Sequence, residues 1–220
     1  MRFSRKKKPK NLPANLPAIP QGLDHNPGIT GQAFNTGHPY FDSTSKKALQ
    51  SVAEYAGYGK EFIKQGFDVK TSAYTVSHVK HGKNELKDNL NTALFLNQEG
   101  IKVVLLPTIN NGALLEIIPK NQRKEGKFAD AWLPDLSVVI DFKKIKKLNY
   151  NAIDAAIRSG KNQSDYILLY IQGKIKKGIV KKAIKDRVTR AENIKEIWVF
   201  LEGRMYQLKR KDIIKEVFPF

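Results

Sequence analysis

The sequence predicts an α/β fold in which helices flank a mixed central β-sheet. From residue 74 onward, stretches with the apolar spacing of a helix alternate with short runs of β-branched residues. In the C-terminal portion the predicted order is helix, strand, hairpin, helix, strand, helix, hairpin. This order is typical of a mixed sheet with helices on its faces. The hydrophobic content of 41% in 220 residues is enough for one ordinary domain with a buried core.

The first predicted helix of this order covers residues 84–98. It places Leu86, Leu90 and Leu94 on one side, four residues apart, so one stripe of the helix is apolar. Gly100 follows directly and is a residue that commonly ends a helix. Further helices are predicted over residues 151–158 and 178–188.

Strands are predicted where apolar and β-branched residues run together between turn formers. Pro134-Asp135 is a strong turn signal between two such runs, and Glu202-Gly203 separates two more, so each pair predicts a hairpin. The predicted strands cover residues 74–79, 101–106, 128–133, 137–142, 166–171, 196–201 and 205–208.

Two segments precede the main domain, which we assign to residues 71–220. Residues 1–40 form a basic, proline-rich arm. Two interpretations of this arm are equally good: it is a tether to nucleic acid or to an assembly, or it is a solubilising tail. Residues 41–70 are expected to form one or two short helices, broken at Gly57 and Gly59, that pack on the core.

The charge of the chain points to a polyanionic partner. A formal net charge of +18, from 39 Lys and Arg against 21 Asp and Glu, favours nucleic acid, although anionic lipid or an acidic protein would also be attracted. The chain has no cysteine, which excludes thiolate zinc sites and a cysteine nucleophile. Its apolar runs are too short for a membrane span, and we expect a soluble protein made in the cytoplasm.

Asp141 and Lys143 are the best candidates for chemistry. Side chains alternate along a strand, so this acid and this amine project from the same face. A divalent metal such as Mg²⁺ is commonly held by one or two carboxylates, and a neighbouring lysine can orient a water molecule or stabilise developing charge.

The predicted hairpin supplies a second carboxylate. A turn at residues 135 and 136 brings residues whose numbers sum to 271 opposite each other, so Asp130 faces Asp141. Opposed like charges destabilise a sheet unless a cation neutralises them. A shift of one residue in the turn would undo this pairing.

These residues resemble those of the PD-(D/E)XK nucleases, which have a restriction-endonuclease-like core. The resemblance rests on Asn84-Glu-Leu-Lys-Asp-Asn-Leu, Gly100 to Pro107, Lys127-Phe-Ala-Asp-Ala and Asp141-Phe-Lys143, and it extends through roughly the last 140 residues. More closely, the chain is similar to the C-terminal tRNase toxin domains of contact-dependent growth inhibition proteins and to their relatives in phages and mobile elements. Ala129 stands where that family usually has proline, whereas a literal Pro134-Asp135 follows five residues later. The family's motif therefore leaves Asp135 as the alternative second metal ligand.

The resemblance implies a catalytic set of Glu85, Asp130, Asp141 and Lys143, with the three acids binding Mg²⁺ or another divalent ion such as Mn²⁺. It implies an endonuclease acting on RNA, of the tRNA type, with an acidic immunity protein as partner. Such a toxin would be delivered to a target cell or packaged in a virion.

Three further side chains are candidates for substrate binding, and two other functions stay open. Lys144, Arg158 and Gln163 are expected to contact the substrate, although solvated surface residues would show the same pattern. One alternative function is a non-catalytic nucleic-acid-binding or phage-particle protein with a nuclease-like fold. The other is a DNA endonuclease. His81 is not predicted to be catalytic, because a lone loop histidine rarely is.

Overall fold

The computed structural model describes residues 62–68, 70–108, 118, 120–122, 124 and 129–220. The predicted arm over residues 1–40 lies outside these ranges, as does most of the predicted helical segment over residues 41–70.

Within the described residues, eight strands form one sheet with four helices. None of those helices is both long and apolar enough to cross a bilayer. The strands are β1 (Phe62–Phe67), β2 (Tyr74–His78), β3 (Val103–Leu105), β4 (Ala131–Leu133), β5 (Val138–Ile145), β6 (Tyr166–Ile171), β7 (Glu196–Leu201) and β8 (Arg204–Lys209). The helices are α1 (Lys83–Gln98), α2 (Tyr150–Gly160), α3 (Lys177–Thr189) and α4 (Arg210–Ile214).

The strands lie in the sheet in the order of the chain, from β1 to β8. The β2–β3, β5–β6 and β6–β7 pairs are parallel and are joined through α1, α2 and α3, because a parallel pair needs a long crossover. The other four neighbouring pairs are antiparallel. The predicted α/β fold with a mixed sheet and flanking helices is therefore confirmed.

Each face of the sheet carries its own hydrophobic core. On one face, Leu90 and Leu96 of α1 pack over β3, β4 and β5. On the other, Ile157 of α2 and Ile184 of α3 pack over the odd-numbered residues of β6. Alternation along β6 divides the cores, since Leu168 belongs to the first and Leu169 to the second.

Most predicted elements agree with the structure to within a few residues, and two differ in an informative way. Residues 62–67 are a strand, whereas a helical segment was predicted up to residue 70, and that prediction is wrong for them. They pair antiparallel with β2, and this tertiary contact outweighs the weak local helix signal. In addition, β4 starts only at Ala131, because the Asp130 side chain accepts the backbone N–H of Phe142 on β5.

Asn97, in the last turn of α1, fixes this helix to the start of β2. Its side-chain amide donates to the carbonyl oxygens of Tyr74 and Ile101, both at 2.9 Å, and its side-chain oxygen accepts from the Thr75 hydroxyl at 2.6 Å. Gly100 then adopts a φ of +81°, as a glycine following a helix often does. The polar face of α1 is thereby held in one position over the sheet.

An ion pair joins α2 to α3. The Asp154 carboxylate accepts from Arg187 Nε at 2.8 Å and from Arg187 Nη2, and Arg190 Nη2 donates to it at 3.1 Å. The Arg187 hydrogen bonds outweigh partial burial and lower the pKa of Asp154 below its usual value.

Asp154→Asn is expected to destabilise the protein by about 1 kcal/mol at neutral pH, as for a well-oriented arginine–carboxylate pair near the surface. Because the pKa of Asp154 is lowered by folding, its contribution is complete above the ordinary aspartate pKa. It disappears as the pH falls through the lowered value. Urea unfolding of both proteins between pH 7 and pH 2.5 measures this. A difference that stays constant over this range, or one shared by exposed Glu192→Gln, would contradict the assignment.

Candidate active site

The candidate site lies at the point along β5 where its pairing with β4 ends and its pairing with β6 begins. Its antiparallel ladder with β4 ends at the pair Ala131 and Ile140, and its parallel ladder with β6 begins at the pair Asp141 and Ile167. A cavity of about 250 Å³ opens here, between β5 and α1. Polar side chains from several elements meet at this point.

Asp130 stands where the hairpin register was predicted to place it. The observed pairs, such as Trp132 with Val139, have numbers that sum to 271, so Asp130 is level with Asp141. Asp130 Oδ2 accepts the backbone N–H of Phe142 at 2.7 Å. The carboxylate thus continues the ladder with a side chain and remains at the cavity wall.

Asp141 and Lys143 share one face of β5 and form an ion pair. Lys143 Nζ lies 2.8 Å from Asp141 Oδ2, and the Asp141 side chain is fully buried whereas Lys143 is 21% exposed. Burial and the nearby Asp130 carboxylate raise the pKa of Asp141, and Lys143 opposes that rise. Burial alone would lower the pKa of Lys143, but its acidic neighbours prevail, with Asp141 the strongest, and raise it.

Glu85, in the first turn of α1, lies on the other side of the cavity. It is exposed, and its carboxylate packs beside Gly82 and Thr108. Its charge contributes to the raised pKa of Lys143, as do those of Asp141 and Asp130. Glu85, Asp130 and Lys143 line the cavity, whereas the fully buried Asp141 is not part of its wall and reaches the site through its ion pair with Lys143.

The donor chemistry fits a hard divalent cation with a small protein ligand set. Two carboxylates, Asp130 and Asp141, are held so close together that one raises the pKa of the other, and a cation would relieve that repulsion. No group of three or more His, Asp and Glu side chains among the described residues has the spacing of a metal site. Two carboxylates suffice for Mg²⁺, which usually keeps several waters and binds substrate phosphates.

Two residues without a predicted role hold Asp130 in place. Asn89 Nδ2 donates to Asp130 Oδ1 and lies within hydrogen-bond distance of His81 Nε2, each at 3.0 Å. Since the Asn89 amide group can only donate, His81 Nε2 accepts, and the imidazole carries its proton on Nδ1, hydrogen-bonded to the Leu106 carbonyl oxygen. The sequence could have shown Asn89 as a site residue, because it lies four residues after Glu85 and therefore on the same face of α1. His81 becomes visible only in the tertiary structure.

Of the remaining predicted residues, two line the cavity and two lie outside it. Lys144 and Gln163 line the cavity, and Lys144 Nζ lies 2.6 Å from Asp88 Oδ1 of α1. Arg158 is exposed and is not part of the cavity wall. Asp135 lies in the hairpin turn, where it forms an exposed ion pair with Lys102 at 3.5 Å. The turn places Asp135 at the far end of β4 from Asp130, away from the cavity.

No protein-family model matches the chain, and no curated protein matches it. Among solved structures, it is similar to a chain of the CdiA-CT/CdiI toxin and immunity complex from Burkholderia pseudomallei. The TM-score is 0.38 at 14% sequence identity, over 57% of this chain and 85% of that chain. At this TM-score the similarity supports no argument about activity, so the site is assigned from its own geometry.

Gly160, at the end of α2, closes the site from behind. A Cβ atom added there would lie 2.7 Å from Asp141 Oδ2 and 3.2 Å from Ile167 side-chain atoms. The helix must therefore end in a residue without a side chain for the buried carboxylate to fit beneath it.

Gly160→Ala is expected to destabilise the protein by about 1–3 kcal/mol through overpacking, despite alanine's better helix propensity. Gly178→Ala in α3 is the matched control, because a Cβ added there meets nothing within 4 Å. This control should be neutral or stabilising by up to about 1 kcal/mol. Thermal and urea unfolding measure both variants. Equal effects of the two substitutions would show that Gly160 is not in tight contact with Asp141.

Proposed function

We propose that this protein is a divalent-metal-dependent endonuclease that hydrolyses phosphodiester bonds. The observation that carries the proposal is the meeting of Asp130, Asp141 and Lys143 where β5 leaves β4 for β6. A buried acid beside an amine, with a second acid level with it, costs stability in a purely structural sheet. The basic charge of the chain supports a polyanionic substrate.

Each side chain has a distinct role in this proposal. Asp130 and Asp141 would hold the cation, with Glu85 contributing from α1, and the bound cation would supply positive charge at the phosphate and acidity to a water molecule. Lys143 would donate to the phosphate oxygens as charge develops on them, and its ion pair with Asp141 fixes its direction. Asn89 and the Phe142 N–H restrict Asp130 to one orientation before any substrate binds.

More specifically, we propose that the substrate is RNA of the tRNA type. The protein would be a toxin, with an acidic immunity protein as its partner. Its support is the resemblance carried by the residues around Asp130, Asp141 and Lys143. An acidic protein covering the cavity would suit the net charge of +18 and would protect the cell that makes the toxin. Incubation with total RNA, isolated tRNA and plasmid DNA distinguishes an RNA from a DNA endonuclease.

Cleavage should require a divalent cation and should stop when a chelator is added. Asp141→Asn, which preserves the shape of the side chain, should reduce cleavage to background. Lys143→Gln should lower the single-turnover cleavage rate by about 10²–10³-fold, as is typical when one donor to developing charge is lost. Single-turnover assays with Mg²⁺ or Mn²⁺, with folding checked by circular dichroism, measure this. Full cleavage by both folded variants would refute the proposed site.

Asp130→Asn should lower cleavage at least about a hundredfold, since it removes one charge from the cation site. Asp135→Asn is the matched control in the same hairpin. It should leave cleavage within about twofold, because the partly exposed ion pair between Asp135 and Lys102 lies away from the cavity. Titration of cleavage against Mg²⁺ concentration compares the two variants. An active Asp130→Asn protein together with an inactive Asp135→Asn protein would reverse the ligand assignment.

A further inference from the structure

We propose that four lysines next to the candidate site form a binding surface for a nucleic-acid sugar–phosphate backbone. Lys146, Lys147, Lys174 and Lys176, here called the lysine rim, belong to the loops that follow β5 and β6. The identification of the polymer rests on the proposed function, and the rim extends that function beyond the cavity.

The topology brings the two loops together. Strands β5 and β6 are parallel neighbours that end level with each other, at the pair Ile145 and Ile171. Their loops therefore leave the same edge of the sheet side by side. They also touch, since a Cβ atom added to Gly173 would lie 3.0 Å from the Leu148 side chain.

The rim lysines differ from their neighbours in charge pairing. Lys143, Lys144 and Lys177 each form an ion pair, with Asp141, Asp88 and Glu202. The four rim lysines are exposed and form no ion pair with any residue that the structure describes. Like charges gathered without counterions create a positive potential that an external polyanion lowers, with release of that polyanion's own counterions.

The rim continues directly from the cavity. Lys143 and Lys144 line the cavity on β5, and Lys146 follows two residues after Lys144. At the rise of an extended chain, Lys147 lies within about 15 Å of Lys143 along the backbone. A nucleic-acid strand bound for cleavage beside Lys143 would therefore have to extend only about 15 Å to reach the rim.

The surface chemistry favours a phosphate backbone over a membrane or a protein. Membrane-surface segments add apolar side chains to their basic ones, and protein interfaces have an apolar centre. The large hydrophobic side chains exposed among the described residues are Val79, Leu136, Ile214 and Val217, and none belongs to the rim loops. A polar surface of unpaired lysines suits phosphates, which orient a nucleic acid without reading its sequence.

The test measures binding without cleavage, using the full chain in chelator. The variant K146Q/K174Q/K176Q removes three rim charges. The matched control K209Q/K211Q/K215Q removes three exposed charges near the opposite edge of the sheet. There Lys209 is the β-ladder partner of Glu196 at the start of β7. Fluorescence anisotropy with a labelled single-stranded RNA and with a DNA duplex gives Kd over a range of salt concentrations. Anionic phosphatidylserine vesicles serve as the lipid probe.

The rim variant should lose about 2 from the slope of log K against log salt on single-stranded RNA, at about 0.7 for each phosphate contact. Between 1 M and 0.1 M salt, the affinity of the unchanged protein should therefore rise about a hundredfold more than that of the rim variant. The control should bind like the unchanged protein. Equal losses in both variants, no nucleic-acid binding at all, or a rim-dependent loss on vesicles alone would overturn the proposal. Rim-dependent binding by a protein that never cleaves would overturn only the proposed function.

Discussion

The Asp130 carboxylate accepts a hydrogen bond from the backbone N–H of Phe142. This bond lies at the point along β5 where the backbone ladder with β4 has ended and the ladder with β6 has begun. A backbone donor at such a point must find an acceptor, because a buried unpaired N–H costs about 1–3 kcal/mol. Here the acceptor is a side chain that also faces the cavity. One constraint of sheet geometry therefore also orients an acid of the candidate site.

The surrounding contacts are consistent with that constraint. Asn89 satisfies the other oxygen of Asp130 and links it to His81, so the orientation of the carboxylate depends on α1 and on the loop before it. Asn97 fixes the opposite end of the same helix to β2. On the other face of the sheet, Gly160 lets α2 approach the buried Asp141 closely. The site is thus held by both helix layers, as preorganised electrostatic catalysis would require.

Such an arrangement has an energetic cost that a structural sheet would avoid. Asp141 is fully buried with Asp130 nearby, and Lys143 compensates only part of the repulsion. Replacing buried charges by apolar side chains is often neutral or stabilising, so their presence here favours a chemical role. The exposed lysines of the rim form no ion pair with any residue that the structure describes, so their charge is available to a polyanion.

The sequence by itself determined the alternation of elements, the hairpin register that sets Asp130 level with Asp141, and the shared face of Asp141 and Lys143, because these depend on local periodicity and on one turn. It misassigned residues 62–67, whose strand exists through pairing with β2. Only the tertiary structure decided that His81 and Asn89 support Asp130, that Lys144 binds Asp88, and that Arg158 lies outside the cavity. Those contacts join residues far apart in the chain, and their geometry arises from helix packing, which local patterns do not encode.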